Sequence, residues 1–551
     1  MLGLMQDWPM TVDRIIDHAA TWHGTVPLVE RAVDGFRSAG WADVRSRARR
    51  LSGALLAAGI RPGDRVATMA WNGIAHIEAW FGIMGIGAVC HTLNPRLFAD
   101  QIVWIVNHAA DRILIVDATL YPVIAPLRAR MPTLERILVI AADTGALPDG
   151  TTDYDAFVAD GDNGAAWGQF DENSACGLCY TSGTTGNPKG VLYSHRSNYL
   201  HTLMTLQADI MGLSSRDVVL PIVPMFHANA WGLVFSAPAV GAQMVLPGPR
   251  LDGASVAELI ERHGVTFSAA VPTVWLALLQ YLKASGRRPD TLRRVAIGGS
   301  ACPAAIIRDF NDLYGVEVVH LWGMTETSPV GSCGAMTPAL AALPHAEQLP
   351  WRLKQGRPAL GIDMRLVADD GTALPHDGRT VGHLLVRGPA VVRAYLNDPT
   401  PILDEDGWFD TGDIATIDGQ GFMQITDRAK DVIKSGGEWI SSIEIENIVV
   451  GHPQVAVAAV IGIPHPKWDE RPLLIVQPIP GRTPAAADLL AHLDGRIARW
   501  WMPDRAVFLS AIPLGATGKI DKKALRAMAE TGAFDEVQAD FTASQNNSGP
   551  S

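Results

Sequence analysis

The stretch Tyr180-Thr-Ser-Gly-Thr-Thr-Gly-Asn-Pro-Lys-Gly190 concentrates groups that can hold a polyphosphate. Gly183, Gly186 and Gly190 let backbone N–H groups approach an anion, Thr181, Ser182, Thr184 and Thr185 add hydroxyl donors, and Lys189 adds a point charge. The order differs from a P-loop, whose GxxxxGK[ST] runs straight into a helix, because Lys189 is followed by Gly190, Val191 and Leu192. As composition alone, the stretch reads equally as a surface hairpin rich in Ser, Thr and Gly. Cys176-Gly-Leu-Cys179 just upstream has CxxC spacing. On a strand, positions i and i+3 face opposite sides, and the sequence has no second pair to complete a metal site, so the two read as small buried apolar residues.

Other residues stand where chemistry is possible. His227 follows an apolar run, Glu326 ends Trp322-Gly-Met-Thr-Glu326, Asp413 ends Trp408-Phe-Asp-Thr-Gly-Asp413, and Lys519 ends Gly515-Ala-Thr-Gly-Lys519. Taken one at a time, His227 reads as a structural histidine, Trp322 as a core tryptophan, Asp413 as a turn residue and Lys519 as an exposed lysine. Any function must come from their assembly.

The elements that would assemble them follow from hydrophobic periodicity. Apolar positions predict helices through Val12–Ala19, Trp41–Leu56, Ile74–Met84 and Tyr121–Met131, with strands at Arg65–Met69, Ala88–Leu93, Arg112–Val116 and Arg136–Ile140. Alternation of the two types means an α/β domain with a largely parallel sheet. The apolar run Ala175–Tyr180 and Val191–Tyr193 flank the loop as strands, and Ser194–Met204 reads as a helix. Val218–Val223, Thr266–Val271, Arg294–Ile297 and the strand beginning at Val318 each end at small or polar residues. Ligands of open α/β sheets collect beyond such carboxyl ends. Residues 380–428 turn to shorter strands, among them Gly382–Arg387 and Gly421–Ile425. Ser441-Ser-Ile-Glu444 is a capping-box pattern opening a helix that ends near Gly451, followed by strands Val455–Ile463 and Leu473–Pro478 and a stripe of Leu489, Leu490, Leu493 and Ile497.

The expected organisation is therefore a large α/β N-terminal domain over 1–428, built of two α/β subdomains plus a small β-rich subdomain. A hinge at 429–432, a smaller mobile α+β C-terminal domain at 433–535 and a disordered tail at 536–551 complete it. With 551 residues, a net charge of −12 and no basic cluster, the chain is not built to meet nucleic acid or an anionic membrane. Five cysteines are too few and too scattered for a disulfide framework. The start lacks a basic region before an apolar core, and Val218–Pro249, although nearly free of charge, is interrupted by Pro221, Pro224, Pro238, Pro247 and Pro249, with Gly232 and Gly241, which argues against a spanning helix. A soluble cytoplasmic protein is expected.

The six segments Thr181–Gly190, Gly298–Pro303, Trp322–Glu326, Trp408–Asp413, Asp427–Glu438 and Gly515–Lys519 together resemble the adenylate-forming superfamily of acyl-CoA synthetases, luciferases and peptide-synthetase adenylation domains. The resemblance runs from about residue 10 to 530. Tyr193-Ser-His-Arg196, Ile297–Pro303 and His465-Pro-Lys-Trp-Asp-Glu-Arg-Pro472 are similar in wording to bacterial medium-chain fatty acyl-CoA synthetases and methylmercaptopropionate-CoA ligases. The resemblance implies an ATP-dependent acid-thiol ligase. Carboxylate and ATP give acyl-adenylate and pyrophosphate, and coenzyme A then takes the acyl group with release of AMP.

It also implies roles. Lys519 would serve the reacting carboxylate and α-phosphate, and Glu326 with Thr181 would hold Mg2+. The loop 181–190, with Lys189, would hold the β- and γ-phosphates. Gly299, Ser300 and Ala301 would line the adenine and Trp322 would stack on it; His320, Gly323, Met324, Thr325 and Ile425 belong to the same nucleotide site. Asp413 would accept the ribose hydroxyls, with Arg428 adding a donor. His227 would gate the acyl tunnel, and Trp231, Val271, Trp275, Gly298, Gly323, Met324 and Val330 would line it. Gate is preferred to general base for His227, because a substrate carboxylate is already ionised near neutral pH. Rotation near Lys430 and Asp431 would bring Lys434, Ser435, Gly436, Gly437, Glu438 and Trp439 to the pantetheine. A homodimer is compatible with the family.

Rival readings are an aryl-acid ligase, an amino-acid adenylation domain, a luciferase-like oxidase and a non-catalytic nucleotide-binding protein. Phe226-His-Ala-Asn-Ala230 lacks the acid that would anchor an amino group, which ranks the amino-acid reading low.

Overall fold

The computed structural model describes residues 1, 3–32, 35–140, 147–181, 187–436, 438–515 and 519–534, with only the backbone of Glu438 included. Ser182, Gly183, Thr184, Thr185, Gly186, Gly437 and the tail therefore lie outside the described residues.

Four sheets carry the fold. In the first, runs such as Ile113–Asp117 and Arg136–Ile140 are apolar on both faces, as strands covered on both sides must be. Thr152–Asp153, Arg136–Ile140, Ile113–Asp117, Arg65–Met69, Val89–Thr92 and Ala175–Tyr180 lie side by side and parallel. Gly190–Ser194 closes the edge antiparallel. Ala175–Tyr180 and Gly190–Ser194 are thus the two arms of the hairpin that carries the hydroxyl-rich loop, as the sequence predicts.

In the second sheet Glu317–Gly323, Arg294–Ile297, Phe267–Ala270, Val218–Pro221, Gln243–Leu246 and Pro27–Ala32 run parallel in that spatial order. Its edges are antiparallel, with Val330–Cys333 and Arg357–Pro358 on one side and Gly35–Gly40 on the other. Pro27–Ala32 and Gly35–Gly40 were not legible as strands, and neither was the helix Ala99–Ala109. The four central strands end together, so the segments after residues 221, 270, 297 and 323 share one crevice.

After Val218–Pro221 the backbone turns the wrong way. Ala228, Asn229, Ala230, Trp231 and Gly232 have consecutive φ values of 42°, 56°, 47°, 56° and 82°, a full left-handed turn. For L-residues this costs roughly 1–2 kcal/mol each. The surroundings impose it: Ala228, Ala230 and Trp231 are buried, the last two in the largest apolar cluster. Asn229 donates from Nδ2 to Asn198 Oδ1 at 3.4 Å. The turn leads into the buried helix Leu233–Val240, which confirms the reading of 218–249 as interior strand and helix. Among the described residues no helix is long and apolar enough to cross a membrane.

The third sheet is antiparallel, Asp363–Val367, Gly382–Arg387, Phe409–Ile417 and Met423–Arg428. Residues 429–432 then form a turn. Ala429 N–H donates to Gly412 O at 3.0 Å, and the N–H groups of Asp431 and Val432 donate to Arg428 O at 2.9 and 2.8 Å. The fourth sheet joins Glu438–Ile440, Ile433–Ser435, Asp469–Pro478 and Val455–His465, with Arg505–Phe508 parallel to Asp469–Pro478. Ser441 caps the helix Ser442–Val450 by accepting from Glu444 N at 3.2 Å. The later helix spans Ala486–Leu493, so Ile497 lies beyond it, although it packs on the same core.

Because the turn is held against local backbone preference, Asn229→Val, similar in size but β-branched, is expected to lower unfolding stability by about 1–3 kcal/mol. Asn229→Gly, which accepts φ near 56° freely, should lose less. Denaturant melts of the two variants check this ordering; a valine variant as stable as the glycine one would mean the turn is not populated.

Candidate active site

Asp413 stands on Phe409–Ile417 directly opposite Arg428 in the neighbouring strand. Its side chain is 3% exposed, and Arg428 Nε donates to Oδ1 at 2.9 Å. Trp322 Nε1 donates to Oδ2 at 2.9 Å. A buried carboxylate needs such donors, and two on different oxygens fix its plane. Trp322 itself is buried against Val191, Tyr193, Leu384 and Val386. A Cβ on Gly331 would come within 2.5 Å of its ring. In this placement Trp322 holds Asp413.

Glu326 follows the sharp bend at Gly323, where any Cβ would lie 1.8 Å from Pro329 O. It is buried, and Tyr395 Oη donates to its Oε1 at 2.9 Å. Burial raises its pKa, with the Tyr395 hydrogen bond opposing. Thr325 is held by its carbonyl, which accepts from Tyr193 Oη at 2.8 Å. At the loop, Thr181 N–H donates to Lys189 O at 2.9 Å and Lys189 N–H donates to Thr181 Oγ1 at 3.3 Å, which pinches the neck shut. The exposed Lys189 ammonium lies 4.7 Å from the centre of the Tyr395 ring. Tyr395 was missed in the sequence: Arg393-Ala-Tyr-Leu-Asn397 has no periodicity and no charged cluster to single it out.

Lys519 reaches the crevice from the C-terminal unit. It sits beside the pairing of Leu514 with Ile520, and its carbonyl accepts from Gly515 N–H at 2.7 Å. A Cβ on Gly299, whose φ is +81°, would stand 3.8 Å from Lys519 Cε, 3.3 Å from Val271 Cγ1 and 3.9 Å from Trp231 Cζ2. On Gly298 it would meet Trp231 Cη2 at 3.2 Å. Glycine at 298 and 299 therefore gives the lysine, the valine and the indole a common floor. Lys519 as a residue is half-buried, and its ammonium end is the deep part. Burial, then the Arg428 charge, push its pKa down to about 8 against the pull of Asp413 and Glu326. His227 is pushed to about 4 by burial with the Lys519 charge added, so its imidazole is neutral. A base that weak fits a gate better than a proton acceptor.

The structure thus brings together Thr181, Lys189, Gly299, Glu326, Asp413, Arg428 and Lys519, with His227, Trp231, Val271 and Gly298 beside them. Val330 is buried in the same cluster as Trp231, and its N–H donates to His201 Nε2 at 3.0 Å. Gln355 links two further candidates, with Nε2 3.4 Å from His320 Nε2 and Oε1 accepting from Ile425 N at 2.7 Å. Ser300 is exposed and Ala301 half-buried at the crevice wall.

Trp275 is not brought there. It is fully buried against Phe310, with its N–H donating to Ala270 O at 3.1 Å, so it belongs to the core under the helix Pro272–Ser285. Lys434, Ser435, Gly436 and Trp439 likewise face elsewhere. Lys434 N–H donates to Glu470 Oε2, Arg471 Nη1 donates to Ser435 Oγ, Gly436 N–H donates to Trp468 O, and Trp439 meets the His383 ring. Cys176 and Cys179 are free and buried, as expected.

Residues 17–396 match the family model described as AMP-binding enzyme, and residues 444–519 match the one described as AMP-binding enzyme C-terminal domain. The 3-methylmercaptopropionyl-CoA ligase of Ruegeria pomeroyi is 50% identical over 531 residues, covering 96% of this chain and 98% of that protein. The medium-chain-fatty-acid–CoA ligase of Ectopseudomonas oleovorans is 47% identical over 532 residues, covering 96% and 97%. Among solved structures, an anthranilate CoA ligase in complex with anthranoyl-AMP has a TM-score of 0.86 at 26% identity, covering 96% of this chain and 100% of that one.

Trp322→Phe keeps an aromatic ring and deletes the N–H that Asp413 uses. A hydrogen bond to a charged group contributes about 1.5–3 kcal/mol, so calorimetry is expected to find ATP affinity weakened by about tenfold or more. Unchanged affinity would mean that Arg428 alone suffices to hold the carboxylate.

Proposed function

The chain belongs to the AMP-binding enzyme family, and from that premise we propose that it is an AMP-forming acyl-CoA ligase that activates a short- to medium-chain fatty acid or a thioether acid of similar length. One observation carries the reading: a buried ammonium, Lys519, shares a crevice with the carboxylates of Glu326 and Asp413 and with a glycine-floored apolar pocket.

The substrates of such a ligase are the acid, ATP and CoA, and each has a matching set of groups. Asp413, held by Trp322 and Arg428, presents its carboxylate to the ribose hydroxyls. The backbone from Gly299 to Ala301 borders the base. The hairpin loop entered at Thr181 and left at Lys189 takes the β- and γ-phosphates. Glu326 and Thr181 are oxygen donors, the class a hard cation requires, and Mg2+ commonly takes one or two carboxylates and fills its sphere with phosphate and water. Bound there, Mg2+ would neutralise phosphate charge.

Lys519 lets the substrate carboxylate and the α-phosphate approach despite their like charge. A carboxylate oxygen then bonds to the α-phosphorus as the bond to pyrophosphate breaks. In the second step the CoA thiol gives up its proton, its sulfur bonds to the acyl carbon, and the carbon–oxygen bond to AMP breaks, so that thioester, AMP and a proton are released. Lys434, Ser435, Gly436 and Trp439 are engaged with Glu470, Arg471, Trp468 and His383 while Lys519 occupies the crevice, which supports a second step in which the C-terminal unit turns about 429–432. The bulk of the Trp231 indole, 3.2 Å from where a Cβ on Gly298 would stand and 3.9 Å from one on Gly299, supports a short or medium acid. The five free, buried cysteines support a reducing, cytoplasmic setting.

A panel from propionate through butyrate, 3-methylmercaptopropionate, hexanoate and octanoate to palmitate, scored by CoA thioester formation, is expected to peak before palmitate. An aryl or long-chain optimum would overturn the substrate proposal and leave the chemistry intact.

Lys519 must be protonated to act, and its pKa is lowered to about 8. In acid-dependent pyrophosphate exchange, kcat/KM should therefore fall as pH rises through about 8, and Lys519→Arg should flatten that limb at a lower rate. A wild-type profile level to pH 10 would contradict the role.

A further inference from the structure

Residues 388–397 lie outside the sheets and grip Glu326 from two sides. Val392 N–H donates to Glu326 O at 2.8 Å, and Tyr395 Oη donates to Glu326 Oε1 at 2.9 Å. The same strap reaches the hydroxyl-rich hairpin: Leu396 N–H donates to Gly190 O at 2.8 Å, and the Lys189 ammonium stands 4.7 Å from the Tyr395 ring centre. Asn397 Nδ2 donates to His108 O at 3.3 Å, which anchors the end of the strap to the first sheet's helix Ala99–Ala109. One half-buried side chain thus touches both the buried carboxylate and the cation at the exit of the loop. Neither contact is needed for a core, since Tyr395 lies at the rim of its apolar cluster.

We propose that Tyr395 is a positioning residue that couples the two phosphate-binding devices, its hydroxyl aiming the Glu326 carboxylate and its ring holding the Lys189 ammonium. Occupying Oε1 with a neutral donor leaves Oε2 for a hard cation and fixes the rotation of the carboxylate. Outer-shell hydrogen bonds of this kind typically alter metal affinity by about 10–100-fold. The ring face acts separately, through cation–π attraction. Removal of the hydroxyl alone therefore weakens the response to Mg2+, and removal of the whole ring also frees Lys189 and weakens the hold on the phosphates.

The inference rests on the ligase reading, and the test separates the two. Calorimetry measures ATP affinity of wild type, Tyr395→Phe and Tyr395→Leu with and without Mg2+, beside acid-dependent pyrophosphate exchange titrated with Mg2+. For Tyr395→Phe the Mg2+ concentration giving half-maximal exchange is expected to rise about tenfold, with the Mg2+-dependent gain in ATP affinity reduced and the Mg2+-free affinity unchanged. Tyr395→Leu should lose Mg2+-free affinity as well. Thermal melts within a few degrees of wild type accompany that result; they rule out general unfolding. Equal Mg2+ response in wild type and Tyr395→Phe, or an equal loss of Mg2+-free affinity in both variants, overturns the coupling. Absence of exchange by the wild type with every acid would instead overturn the ligase reading.

Discussion

A primary ammonium kept in a desolvated crevice beside two carboxylates is the interaction on which the rest depends. An isolated buried charge is costly, and it persists only where opposite charges or bound anions compensate it. Lys519 has Asp413 and Glu326 near enough to raise its proton affinity, yet burial still brings its pKa down to about 8. The site is therefore under-neutralised for its cation and suited to receive an anion. The sheets supply the crevice, because four parallel strands end together at one edge. The glycines at 298 and 299 supply room for the lysine and the indole.

What keeps Lys519 there is a polar seam. Asp427, at the end of the third sheet, accepts at Oδ2 from Ser442 N at 2.7 Å and Oγ at 2.6 Å. Lys522 Nζ bridges Ser442 Oγ and Glu446 Oε1 at 2.5 and 2.8 Å. Arg526 pairs with Asp431 at 2.7 Å within the 429–432 turn. Charged and hydroxyl groups can exchange these partners for water, whereas a large apolar interface could not be opened so readily. A seam of this composition is consistent with a unit that docks for one step and turns for the next.

The sequence was most informative where local pattern and final environment agree. Arg65–Met69, Arg136–Ile140, Arg294–Ile297 and Gly382–Arg387 are strands with the expected limits, because an apolar run between turn residues leaves few alternatives. Pro27–Ala32 and Gly35–Gly40 were invisible for the opposite reason: the pair joins the sheet only where Pro27–Ala32 meets Gln243–Leu246, far along the chain, and an edge hairpin buries too little to impose alternation. The site residues were legible as motifs, but their division of labour was not. Trp275 and Trp322 are both tryptophans near the ends of strands, and only packing distinguishes one that ties Ala270 into a core from one that fixes Asp413. Tyr395 escaped notice because its partners, Lys189 and Glu326, are distant in sequence and meet only in the folded chain.

The most direct test of the account separates the two half-reactions in Lys519→Ala. Adenylate formation, followed as acid-dependent pyrophosphate exchange, is predicted to drop by orders of magnitude, while transfer from a supplied acyl-adenylate to CoA stays within a few-fold of wild type. Equal loss of both steps, or undiminished exchange, would contradict the assignment of the buried lysine to the first step.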